Sequence, residues 1–95
     1  MDDSDGPPED EPAAGLGEGP ELVYVQVADH IESRIRAGRF PANSRLPGER
    51  DLARRYGVSY GSVRRAMAEL RDRALVVTVH GRGNYVARQL PAQRA

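Results

Sequence analysis

Few side chains in this sequence are grouped so that they could make or break bonds. Asp29, His30 and Ser33 lie within about one helical turn, and a serine, an imidazole and a carboxylate are the ingredients of nucleophilic catalysis. No strained elbow and no third orienting group accompanies them, so the expectation there is an exposed helix face. Cysteine is absent, which excludes a disulfide framework and thiolate metal sites, and His30 and His80 are too far apart in sequence to read as a ligand pair. Neither a metal nor a cofactor is expected. Gly15, Gly17 and Gly19 have the look of a phosphate-cradling loop, but no strand precedes them and Pro20 follows, which makes a flexible linker the better reading. What remains is binding chemistry, carried by arginine. All 14 basic residues are Arg, and at about 100° per residue Tyr60, Arg64 and Arg71 share one flank of a helix while Arg65 and Ala68 face more directly outward.

The formal net charge of zero conceals a division within the 95 residues. Residues 1–21 carry eight acids and no base, whereas residues 22–95 hold six acids and all 14 bases, a balance of −8 against +8. The first segment is rich in Pro and Gly with Leu16 as its one large aliphatic after Met1, too little apolar surface to offset ordering entropy, so 1–21 is expected to be a disordered acidic tail. Its charge suggests a mobile mimic of a polyanion that folds back on the basic part. The remaining 70 or so residues permit one small domain, in which a deep enzymatic cleft would compete with the core. Nothing resembles a signal peptide or a membrane span, so the expectation is a cytoplasmic protein without membrane contact.

The elements that must position the arginines follow from periodicity. Tyr24, Val27, Ile31 and Ile35 mark one face of a first helix that stops at Gly38, and a loop from Phe40 to Arg45 follows. Pro47 prepares a second, short helix over about 48–56, with Glu49 and Asp51 in its first turn and Gly57 as its stop. Ser59 is a good N-cap for a third helix over about 60–73, whose buried stripe is Val63, Ala66, Met67 and Leu70. Two apolar runs, 75–79 and 84–87, then flank the turn His80-Gly81-Arg82-Gly83 as a β-hairpin. The pattern predicts a mainly α fold with a small β-hairpin (α+β): a winged helix-turn-helix of three helices plus a wing, with residues 60–73 as recognition helix. Period two groups Leu75, Val77 and Val79 on one face of the hairpin. Core burial is the favoured reading of that face, and exposure as a dimer or partner contact is the alternative.

The ordered motifs over residues 22–88 resemble the DNA-binding domain of the GntR family of bacterial transcription regulators. They are Tyr24 with Gln26, Ile35-Arg36-Ala37-Gly38, Leu46-Pro47-Gly48-Glu49-Arg50-Asp51-Leu52-Ala53, Tyr56-Gly57-Val58-Ser59, Val63-Arg64-Arg65-Ala66 and Gly81-Arg82-Gly83-Asn84-Tyr85-Val86. The resemblance implies that Arg50 touches a phosphate or a guanine edge, that Ser59 and Ser62 bond phosphates, and that Arg64 enters the major groove. It also implies that the wing tip, His80, Gly81 and Arg82, reaches the adjacent minor groove. Tyr60 and Arg65 complete the candidate DNA-binding set. The chemistry fits: a guanidinium fork matches guanine O6 and N7, a helix N-terminus attracts phosphate, and glycine lets backbone approach a narrow groove.

Four positions depart from the family pattern. Tyr60 stands where arginine is common and Gly61 has no side chain, so the family's usual base preference does not transfer. Gly48 replaces a frequent Ser or Thr cap, and Ala74 replaces a glycine expected in a left-handed helix cap, so either Ala74 is strained or the helix ends differently. Members of the family continue into a larger C-terminal effector domain, while this chain ends at Ala95 after a segment, 89–95, expected to be disordered. The combined expectation is a sequence-specific binder of double-stranded DNA, a transcription regulator and by family habit a repressor, not an enzyme, with no effector site evident and with half-sites about one helical turn apart if it acts as a homodimer. The rival reading is a winged-helix protein-interaction module.

Overall fold

The computed structural model describes residues 20–92; residues 1–19 and 93–95, and with them the expectations about most of the acidic tail, lie outside the described residues. Helix α1 spans Pro20–Arg36, α2 Glu49–Tyr56 and α3 Tyr60–Asp72, followed by strands β1 (Val76–Val79) and β2 (Gly83–Val86). These are the three helices and the hairpin that the sequence pattern predicts. Helix α1 begins about one turn ahead of Tyr24, at Pro20, whose missing N–H and fixed φ suit a first turn, so positions 20 and 21, expected in the tail, are helical.

Each helix stops for a local reason. Beyond α1 the chain turns at Gly38, φ +81°, with the Arg39 amide donating to the Arg34 carbonyl at 2.9 Å. Helix α2 ends on Gly57 in the left-handed region at φ 65°, whose amide satisfies carbonyls of the last turn. Helix α3 starts on Ser59, whose hydroxyl accepts the Ser62 amide. It ends through Ala74 at φ 64°, with the Leu75 amide on the Leu70 carbonyl at 2.9 Å. Of the two outcomes open at Ala74, strain is the one found, at a cost of about 1–2 kcal/mol for an L-residue there.

The core lies where the three helices and the base of the hairpin meet. Val27, Ala28, Ile31 and Ile35 of α1 pack with Leu52 and Tyr56 of α2, with Val63, Ala66, Met67 and Leu70 of α3, and with Leu46, Leu75, Val76 and Val86. Removing any of the large aliphatics would cost about 2–5 kcal/mol, a large part of the stability of so small a domain.

The hairpin pairs Val76 with Val86, Val77 with Tyr85, Thr78 with Asn84 and Val79 with Gly83. Its two faces correct the favoured reading of the sequence: Val77 is 50% and Val79 39% exposed, although Leu75 is fully buried. The physical reason is that Leu75 belongs to the end of α3. Its amide closes that helix and its carbonyl accepts the Ala87 amide at the foot of the hairpin, whereas beyond Val76 every residue of β1 is exposed, Val77 and Val79 among them.

Two further contacts were not legible locally. The loop after α1 adds a third rung to the sheet: Arg45 bridges antiparallel to Tyr85, with Leu46 donating to the Asn84 carbonyl at 2.8 Å and Val86 donating to the Ser44 carbonyl at 2.8 Å. His30, expected on an exposed face, is half-buried. Its Nδ1 lies 2.5 Å from the Tyr56 hydroxyl and the two rings meet edge to face, 5.2 Å between centroids. Burial, and secondarily the nearby Arg34 charge, lower the pKa of His30 below 6.5, so the neutral imidazole ties α1 to α2.

On the side of the domain formed by α1 and α3, Arg73 donates to Glu69 at 3.0 Å, Glu32 at 2.9 Å and Asp29 at 2.8 Å. Partial burial opposes its charge, but the hydrogen bonds outweigh that and hold the guanidinium above the usual arginine range. Of the C-terminal segment expected to be disordered, residues 89–92 are described. Leu90 packs on the core and the Pro91 carbonyl accepts from Arg36 Nη1 at 2.6 Å.

Candidate nucleic-acid interface

Helix α3 and the hairpin enclose an open groove of about 980 Å³ lined by Ser59, Tyr60, Ser62, Arg64 and Arg65, together with Glu49, Ala68, Arg71 and Thr78. Five of the nine candidate residues therefore meet in one place. They do so because the αL turn at Gly57 and the cap at Ser59 launch α3 at an angle to α2, which turns the stripe Val63, Ala66, Met67, Leu70 inward and the opposite side outward.

Two cations of this groove, Arg64 and Arg65, rest on rings, as does Arg50 beside it. The Arg50 guanidinium lies 4.5 Å and that of Arg64 5.9 Å from the Tyr60 centroid, and Arg65 lies 4.2 Å from that of Tyr24. Among the described residues no carboxylate pairs with any of the three, whereas Arg54 and Arg55 share Asp51 and Arg73 is held by three acids. A guanidinium over an aromatic face keeps its N–H edge for a further acceptor, so Arg50, Arg64 and Arg65 present donors toward solvent.

The two serines divide their work. Ser59 Oγ accepts the Ser62 amide at 3.0 Å and donates to Ser62 Oγ at 3.0 Å. With the Ser59 proton committed, it is the Ser62 hydroxyl that has a proton left to give to an anion near the start of α3.

At the wing tip the Arg82 amide closes the turn on the Val79 carbonyl at 2.9 Å, with Gly81 at φ 79°. His80, Gly81 and Arg82 are exposed and line a second cleft of about 360 Å³ that also includes Arg45, Glu49, Thr78 and Asn84. The wing tip is thus separate from the α3 groove, and Glu49 and Thr78 border both.

Sequence reasoning missed Tyr24, read only as a core residue, and Arg45, which packs on Gly83 so closely that a Cβ there would lie 3.1 Å from Arg45 Nε. Arg71 had a signal, its shared flank with Tyr60 and Arg64. Its partner did not: Arg71 donates to the Thr78 hydroxyl at 2.8 Å.

Residues 23–86 match the family model described as "Bacterial regulatory proteins, gntR family". The chain is 37% identical over 75 residues to the Histidine utilization repressor of Pseudomonas aeruginosa, covering 79% of this chain and 30% of that protein. It is 38% identical over 64 residues to the HTH-type transcriptional regulator SmoD of Agrobacterium fabrum, covering 67% and 27% respectively. The chain spans only 27% and 30% of the lengths of these two curated relatives. Among solved structures, the AraR DNA-binding domain in complex with operator ORX1 aligns with a TM-score of 0.67 at 30% identity, over 80% of this chain and 88% of that one. A GntR family transcriptional regulator from Listeria monocytogenes aligns with a TM-score of 0.68 at 31% identity, over 70% and 59%. A match over 64 residues that contains the helix-turn-helix and the wing, joined to this likeness of fold, identifies the chain as a member of the GntR family of bacterial regulatory proteins, with a winged helix-turn-helix domain.

Proposed function

We propose that this chain binds double-stranded DNA in a sequence-specific manner and serves a bacterial transcription regulator, a repressor in the manner of its named relatives, acting in the cytoplasm. The observation that carries the reading is a set of arginines held on aromatic faces with their donors free: Arg64 and Arg65 line the α3 groove, and Arg50 stacks on Tyr60, which lines it too. In this reading α3 lies in the major groove, where Arg64 pairs with a guanine edge and Arg50 and Arg65 meet phosphate or base edges. Ser62 donates to a phosphate at the N-terminus of α3 while Ser59 holds the cap, and Tyr60 aligns Arg50 with Arg64. The wing tip, His80, Gly81 and Arg82, follows the adjacent minor groove. The AraR domain bound to its operator supports DNA as the partner, by analogy of fold.

No helix among the described residues is long and apolar enough to cross a membrane. Acting as a homodimer, the domain would use half-sites about 34 Å apart. The test is selection of bound fragments from random DNA: a recurring motif with salt-sensitive binding is the expected result. Recovery of no enriched sequence, with co-precipitation of a protein partner that survives nuclease, would replace this reading with the interaction module.

A further inference from the structure

Asn84 is the one polar side chain buried among the described residues, 7% exposed, and both ends of its amide have partners. Arg71 at the end of α3 donates to the Thr78 hydroxyl at 2.8 Å, that hydroxyl donates to Asn84 Oδ1 at 2.6 Å, and Asn84 Nδ2 donates to Glu49 Oε2 at 3.0 Å. Only one polarity satisfies every member. A hydroxyl has a single proton, so Thr78, having given it to Asn84, must accept from Arg71, and the Asn84 amide cannot flip without setting its oxygen against the Glu49 carboxylate. The chain begins on a cation and ends on an anion, an arrangement in which each bond polarises the next.

These four residues come from four elements: α3, β1, β2 and the first turn of α2. Thr78 and Glu49 are also the two residues that border both the α3 groove and the wing-tip cleft. We infer that Arg71, Thr78, Asn84 and Glu49 form a polar latch that sets the angle of the wing against the recognition helix, making them positioning residues for simultaneous engagement of two DNA grooves. This explains why a carboxylate, unfavourable beside phosphates, stands at this interface: Glu49 terminates the latch. The inference rests on the DNA-binding reading for its consequence, though not for its geometry.

The test uses the full chain with Thr78→Val, which deletes one hydroxyl and keeps the β-branched shape, and Thr78→Ser, which keeps the hydroxyl. Without DNA, residual dipolar couplings of the β1 and β2 amides report wing orientation relative to α3. With DNA, the probe is a duplex enriched from random sequence by the unmodified chain. Thr78→Val is expected to change the wing couplings, to weaken duplex binding about 3- to 10-fold, and to lose minor-groove protection while guanine N7 protection persists. Thr78→Ser is expected to behave as the unmodified chain. Unchanged wing couplings in Thr78→Val, or minor-groove and N7 protection falling together, would overturn the latch. Failure of the DNA reading is separately visible, because the unmodified chain would then bind no duplex, and the couplings alone would decide.

Discussion

The Arg50 guanidinium carbon lies 4.5 Å from the centroid of the Tyr60 ring, which also carries Arg64 at 5.9 Å. One exposed aromatic therefore joins a cation of α2 to a cation of α3. At that position the chain has a surface that orients two charges. Tyr60→Ala is expected to weaken binding to a selected duplex by about 1–2 kcal/mol, the sum of two exposed cation–π contacts. Tyr60→Phe, which keeps the ring, should lose less than half of that in fluorescence anisotropy. Equal losses for the two variants would assign the role to the hydroxyl and not the ring.

Ala74 is held at φ 64° with an exposed side chain. Ala74→Gly removes the clash between Cβ and carbonyl, against which the greater freedom of glycine in the unfolded chain works. The net expectation is a gain of about 0.5–1 kcal/mol, seen as a rise in Tm of roughly 2–8 °C for a domain of this size. A lower Tm would show that the neighbouring hydrogen bonds, and not alanine's own preference, set the strain.

His30 gives the domain an acid sensitivity. Its folded pKa is lowered below 6.5, first by burial and then by Arg34, so the unfolded chain takes up the proton more readily. Stability from the neutral imidazole is whole above the unfolded value and is lost as pH falls from there through the folded pKa. Urea unfolding at pH 7.5 and 5.5 should show the lower stability at 5.5, and His30→Gln, which keeps a polar group near Tyr56, should reduce that difference. An identical difference in the variant would place the sensitivity elsewhere.

The helices and hairpin were readable because their signals are local: a 3.6-residue apolar stripe, a glycine two positions past the first helix and one past the second, a serine before the third. The groove residues were readable for the same reason, since Tyr60, Arg64 and Arg71 share a flank by helical geometry alone. What the sequence hid depends on distant pairing. His30 finds Tyr56 26 positions away, and Asn84 finds Glu49 35 positions away, with no periodicity linking them. Arg45, read as loop, becomes a sheet rung because β2 offers it an edge. Val77 and Val79 were misread because Leu75, which shares their parity, is buried by its place at the junction of α3 and the hairpin, and the strand beyond it is not.

The central claim is that the cations of α3 read DNA, and it is tested most directly by titrating salt against the binding of the selected duplex and of a scrambled one, for the unmodified chain and Arg64→Ala. With about four phosphates neutralised by the basic side chains of the domain, log affinity should fall against log salt with a slope of roughly −3.6. Arg64→Ala should lose about 1–3 kcal/mol on the selected duplex and far less on the scrambled one. A slope near zero would contradict DNA binding itself, and an equal loss on both duplexes would contradict base reading by Arg64.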